Sequence, residues 1–172
     1  MLRRGLSFVA GAALGVALWW FFTPQYNRLF ALVSTPLVRI DRRLSAAVLV
    51  PQERAIFITS STALPIATIP ADQLTYNVIL LLGLFAANAR PFSVRNLRAL
   101  AIAAAIVFAF QCIGLLISIE STYALRQGDW SSAHYGDAAG HFWLTAELIY
   151  RTVGMFGVVF ASWWTLSRES QR

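Results

Sequence analysis

The stretch Leu97–Ile119, LRALAIAAAIVFAFQCIGLLISI, decides the fold class of this 172-residue chain. It holds a single charged side chain, Arg98, and an apolar run of this length is typical of a helix that crosses a lipid bilayer. Three similar runs lie at about residues 5–22, 74–89 and 142–166. We therefore predict an all-α integral membrane protein, a single membrane domain over residues 1–172 with four transmembrane helices.

The composition supports a membrane environment. Hydrophobic residues make up 58% of the chain and charged residues only 13%, about half the charged share of a typical soluble domain. The net charge of +6 comes with no lysine, and the arginines are spread over loops rather than grouped with aromatic residues on one face. This spread predicts membrane lipids as partners and no nucleic acid.

The arginine distribution predicts the topology. Basic residues accumulate on the cytoplasmic side of a membrane, and the short connections predicted to lie there carry Arg3, Arg4, Arg90, Arg95 and Arg98. The loop 120–140 is mostly acidic and is predicted to be extracytoplasmic. The first run ends in Trp19–Phe22 without a cleavage pattern, which indicates an uncleaved anchor. We expect a multi-pass protein of the bacterial inner (cytoplasmic) membrane with both termini in the cytoplasm.

An extracytoplasmic amphipathic helix is predicted at about residues 26–50. Apolar residues recur there every three or four positions, and the basic residues that we expect at the lipid surface are Arg28, Arg39, Arg42 and Arg43. Pro36 is expected to bend or restart this helix. The alternative is a helix packed on the protein's own loops. A short β-hairpin from Ala55–Thr59 and 63–69 is predicted to follow it, with the second strand at an edge because of its prolines.

Four glycines are candidate helix-packing residues. Gly11 and Gly15 stand four apart on the first run, and Gly154 and Gly157 lie on the last. Small residues at such spacing allow two helix backbones to approach closely in a membrane. The alternative is that these glycines are merely tolerated.

Glu147 and Arg151 are the first candidates for a functional site. They are four residues apart and therefore share a helix face, where they can pair. An ionisable residue within a span usually faces the protein interior and marks a functional site. The competing interpretation is an ion pair that only locks the helix against its neighbours.

Two histidines complete the set of catalytic candidates. His134 and His141 lie near Asp129 and Asp137, but their spacing matches no zinc pattern, so we predict no metal. Together with Tyr123 and Gln111 they could form a polar mouth above the Glu147–Arg151 pair. Cys112 lies inside an apolar run and is predicted to be a buried small hydrophobe. Nucleotide and serine-hydrolase motifs do not occur, and no cofactor is predicted.

The layout of the chain resembles the exosortase and archaeosortase superfamily, particularly the small membrane proteins associated with exosortase H. The likeness covers most of the chain. The features that carry it are the aromatic end of the first run, the outer segment after Tyr26, the extended stretch 56–69, the entry Leu74–Asn77 and the motif His134–Gly140.

The resemblance implies a membrane transpeptidase with a cysteine at the outer mouth of a span and an arginine and a histidine from later spans. Here the entry Gln73–Asn77 has no cysteine, Cys112 lies in the third span, and only His134 matches the histidine. The resemblance, combined with the missing cysteine, therefore implies a non-enzymatic accessory protein of an envelope protein-sorting system, with an exosortase-like membrane protein as partner. The alternative is a small membrane enzyme or carrier that uses Glu147, Arg151 and His134 on an anionic substrate.

Overall fold

A computed structural model describes residues 2–60 and 64–171 of the chain. It is mostly helical, as predicted, and carries one small sheet. Three helices among the described residues are long and apolar enough to cross a membrane. They are α1 (Leu2–Val38), α4 (Val94–Leu125) and a third that runs from α6 (Asp137–Ile149) through a π-helical turn (Tyr150–Gly154) into α7 (Met155–Gln171).

Large apolar side chains cover the outside of these helices. Phe21 is 74% exposed, Val153 is 66% exposed and Phe142 is 63% exposed. Only 11% of the most apolar window of α1 is buried within the protein. In water such a surface would drive aggregation, whereas lipid is a good solvent for it. The exposed surface therefore fits the predicted membrane protein.

The fourth span is not confirmed. Its residues form two short helices, α2 (Asp72–Thr75) and α3 (Asn77–Ala86). The apolar segment from Asp72 to Ala86 covers roughly 22 Å at 1.5 Å per residue, which is less than the hydrocarbon thickness of about 30 Å. The expected loop 120–140 also differs, because α4 continues to Leu125 and α5 (Asp129–His134) forms a further turn and a half of helix.

The chain divides into two compact units. The first comprises Met1–Phe22, Thr75–Gln111 and Val153–Arg172, and the second comprises Thr23–Leu74 and Cys112–Thr152. In the first unit, α3, α4 and α7 contribute the core, which includes Leu81, Phe85, Val107 and Val159. The tail residue Arg172, predicted to be cytoplasmic, lies outside the described residues.

Two of the four candidate glycines lie at a close helix contact in the first unit. A Cβ atom on Gly11 would be 2.3 Å from the Cβ of Ala86, and one on Gly15 would be 3.1 Å from the Cα of Ile79. Helices α1 and α3 thus pack backbone to backbone at these positions. Gly157 has open space around its Cα, and Gly154 ends the π-helical turn.

The second unit contains a three-stranded antiparallel sheet of β1 (Val48–Gln52), β2 (Ala55–Thr59) and β3 (Ala67–Pro70) in the order β1-β2-β3. The pairing of β2 with β3 is the predicted hairpin, with β3 at an edge; Ala63 lies outside the described residues. Strand β1 was not predicted, because the helical pattern was extended to residue 50. The residues that alternate onto the buried face are Leu49, Ile56, Ile58, Ala67 and Ile69.

A separate amphipathic helix does not form at residues 26–50. Helix α1 instead continues through Pro24 and Pro36 to Val38, followed by a 3-10 turn at Arg42–Leu44. The prediction was wrong because it let the prolines end the helix. Each proline removes one helical hydrogen bond and crowds the preceding turn, but the buried positions keep the helical period across Pro24. Those buried residues are Thr23, Asn27, Phe30, Ala31, Ser34 and Val38.

The turn between β1 and β2 holds a non-glycine residue in the left-handed region. Glu53 has φ +51°, and its carbonyl accepts a hydrogen bond from Asn27 Nδ2 at 2.9 Å. Because only glycine adopts this conformation without steric cost, we expect Glu53→Gly to raise the apparent melting temperature in detergent by about 2–4 °C. Glu53→Val is expected to lower it, and equal melting temperatures for the two variants would contradict the prediction.

Candidate functional site

Glu147 and Arg151 form an ion pair in the second unit. Arg151 Nε donates to Glu147 Oε1 at 3.0 Å, and Nη2 lies 2.8 Å from the same oxygen. The Glu147 side chain is only 7% exposed, and that of Arg151 is 32% exposed. Arg151 belongs to the π-helical turn, a feature that is frequent at functional sites. The two side chains are therefore paired, as their spacing of four residues predicted.

Two further residues complete this cluster. Arg151 Nη1 donates to Gln73 Oε1 of α2 at 2.8 Å, and Arg126 Nη2, just beyond the end of α4, lies 3.7 Å from Glu147 Oε2. A single carboxylate is thus flanked by two guanidinium groups, which leaves a net charge of about +1. Neither partner was predicted from the sequence, where the only signal for Arg126 is its isolation in an otherwise acidic segment.

A pocket of about 300 Å³ opens beside the cluster, and we call it the Arg126–Arg151 pocket. Its polar wall consists of the cluster itself with Thr68 of β3 and Thr122 of α4. Its apolar wall consists of Ile69, Pro70, Leu144 and Leu148. A volume of this size holds a small ligand or the head of a larger one.

The histidines are not part of this pocket. The ring of His134 stacks on Trp130 with centroids 4.2 Å apart, and its Nδ1 lies 2.8 Å from the carbonyl oxygen of Trp130. His141 lies exposed in the first half of α6. The catalytic grouping of Glu147, Arg151 and His134 is therefore not assembled. Residues 2–60 and 64–171 contain no group of three His, Cys, Asp or Glu side chains placed as metal ligands.

The other residues of the expected polar mouth have separate partners. Tyr123 Oη donates to the carbonyl oxygen of Pro65 at 2.7 Å. In the first unit, Gln111 Nε2 donates to Asn77 Oδ1 at 2.6 Å, and Asn77 Nδ2 donates to the carbonyl oxygen of Met155 at 2.9 Å. These bonds satisfy polar groups among apolar helices and fasten α3, α4 and α7. Cys112 is 2% exposed.

A second charged cluster surrounds Arg43. Its guanidinium pairs with Asp41, lies 3.9 Å from the ring centre of Tyr135, and approaches Glu120 Oε2 to 3.9 Å. Tyr135 Oη donates to the same carboxylate oxygen at 2.7 Å. The hydrogen bonds from Arg43 lower the pKa of Asp41, while burial and the Glu120 carboxylate raise the pKa of Tyr135, so its hydroxyl keeps the proton that it donates.

Two of the four arginines predicted for the lipid surface also have partners within the protein. Arg43 is engaged within the protein, and Arg39 Nε donates to the carbonyl oxygen of Ala47 at 3.0 Å. Arg39 was assigned to the polar face of a helix, whereas α1 ends just before it at Val38. Arg28 and Arg42 are exposed and remain available to lipid headgroups.

The geometry of the second unit thus provides one pocket with a basic character, held by Glu147, and one internal charge cluster around Arg43. Comparisons of the chain with protein-family models, with curated proteins and with solved structures find no match.

Proposed function

We propose that this chain is a non-enzymatic accessory membrane protein of a bacterial envelope protein-sorting system of the exosortase type. It resides in the inner membrane as a multi-pass protein with both termini in the cytoplasm. Its second unit, with the small sheet and the Arg126–Arg151 pocket, faces the extracytoplasmic side. The arginines near residues 3–4 and 90–98 support this orientation through the positive-inside bias.

The observation that carries the proposal is the placement of the groups that a transpeptidase would need. A thiolate nucleophile requires an accessible, electropositive setting with a base beside it. Cys112 is buried, His134 is stacked on Trp130, and Arg151 is paired with Glu147. The three groups have separate surroundings, which supports a binding role over a cysteine–histidine reaction.

A small enzyme or carrier is the second candidate, and one observation favours it. The Arg126–Arg151 pocket lies against Glu147, so an anionic substrate bound there would contact the only buried carboxylate of that cluster. His134 has no part in this version of the function.

Co-purification tests the leading proposal. An affinity-tagged chain extracted from native membranes in mild detergent is expected to retain an exosortase-like membrane protein, identified by mass spectrometry. We expect the partner's helix to pack against an exposed small residue, and Gly157 of α7 is one that has nothing within 4 Å of its Cβ position. Gly157→Leu is therefore expected to reduce the amount of retained partner at least severalfold.

The matched control is Val9→Leu, which enlarges an exposed side chain on another helix, α1, of the same unit. It should leave partner retention unchanged. Retention of no sorting enzyme by the unmodified chain would contradict the proposal, and an equal loss with both variants would exclude the Gly157 face as the contact.

A further inference from the structure

We propose that the Arg126–Arg151 pocket binds the phosphodiester headgroup of an anionic phospholipid. This inference stands apart from the proposed sorting role, because it rests only on the charges and walls of the pocket. It assigns a ligand class, a phosphate anion, and a source, the surrounding bilayer.

The charge arrangement favours an anion. Arg126 and Arg151 approach a single carboxylate from two directions, and one positive charge is left over. Arg126 is 61% exposed, and within the described residues its side chain has only the 3.7 Å approach to Glu147. Its guanidinium therefore keeps its hydrogen-bond donors available to a ligand, and guanidinium groups bind phosphate oxygens in a bidentate manner.

Arg151 is held ready for the same ligand. Glu147 and Gln73 fix its guanidinium at three distances between 2.8 and 3.0 Å. A preorganised cation loses little side-chain entropy on binding. The pocket thus combines a fixed cation with an exposed one, and Thr68, which also lines it, carries a hydroxyl donor.

The apolar wall favours a lipid over a free anion. Leu144 and Leu148 lie one turn apart on α6, on the same face as Glu147 and Arg151. They are 45% and 61% exposed, so they continue from the pocket onto the outer surface of a helix apolar enough to span a membrane. An amphiphile with its headgroup in the pocket would lay its acyl chain along these leucines.

Native mass spectrometry and thermal unfolding of the full chain in a neutral detergent test this assignment. Addition of phosphatidylglycerol is expected to give a bound adduct and a higher apparent melting temperature, whereas phosphatidylcholine, which has no net charge, gives neither. Arg126→Gln is expected to weaken phosphatidylglycerol binding about tenfold, since it removes one charge-assisted phosphate contact. Arg126 makes no side-chain hydrogen bond within the described residues, so this variant should fold normally.

Arg95→Gln is the matched control, because it removes an exposed arginine of α4 that does not line the pocket. It should leave phosphatidylglycerol binding within twofold of the unmodified chain. Equal binding by Arg126→Gln and the unmodified chain would overturn the proposal, as would an equal loss in both variants.

Two competing ligands are separated in the same assay. Stabilisation by inorganic phosphate without a response to phosphatidylglycerol would overturn the lipid source, because the pocket would then serve a soluble anion. Stronger binding of a peptide with a free carboxyl terminus than of phosphatidylglycerol would overturn the phosphate assignment. Neither result is expected with Leu144 and Leu148 at the mouth of the pocket.

Discussion

Substitution of Gly11 by alanine will destabilise the chain by about 1–3 kcal/mol, which corresponds to a fall of roughly 2–12 °C in the apparent melting temperature. The added Cβ would lie 2.3 Å from the Cβ of Ala86 and 3.0 Å from the carbonyl oxygen of Leu82. Both atoms are fixed to the backbone of α3, so no side-chain rotation relieves the overlap. Helix α1 must move away from α3, and thermal unfolding in detergent measures the loss.

The double variant Gly11→Ala/Ala86→Gly provides the rescue. It moves the methyl group from one helix to the other, so most of the lost stability should return. Gly157→Ala is the control for helix propensity, because a Cβ at Gly157 meets nothing within 4 Å. That variant should be neutral or slightly stabilising. A Gly11→Ala variant as stable as Gly157→Ala would show that α1 and α3 do not touch at Gly11.

The apolar runs predict the helical, membrane-type fold because hydropathy depends on local sequence alone. The details that failed depend on tertiary contacts. The segment at residues 74–89 is apolar enough for a span, yet its helix ends at Ala86 and is short. Strand β1 was missed because its alternation, Val48 exposed and Leu49 buried, emerges only against β2. The continuation of the helix through Pro24 was missed because burial of the residues on one helix face stabilises it more than the proline destabilises it.

The candidate site shows the same division. The Glu147–Arg151 pair follows from helix geometry, since residues four apart share a face. Gln73 and Arg126 come from elements far away in the chain, and no local pattern marks them as partners of that pair. His134 was grouped with the pair because it is close in sequence, whereas its ring packs on Trp130 within the same short helix.

Substitution of Glu147 by leucine has the other large expected effect. It leaves Arg151 without its main partner in a partly buried position, and removal of one member of a buried pair typically costs 3–5 kcal/mol. Arg151 is 32% exposed and keeps its bond to Gln73. We therefore expect a smaller loss of about 1–3 kcal/mol, measured as a lower apparent melting temperature in detergent.

The double variant Glu147→Leu/Arg151→Leu distinguishes a lock from a binding site. Removal of both charges from an apolar setting is often neutral or stabilising, so the double variant should regain most of the stability that each single variant loses. If the pair also serves the pocket, the stable double variant will bind phosphatidylglycerol more weakly than the unmodified chain, because only Arg126 remains to contact the phosphate. If the losses of Glu147→Leu and Arg151→Leu simply add in the double variant, the pair contributes no coupling energy, and both the lock and the prediction are contradicted.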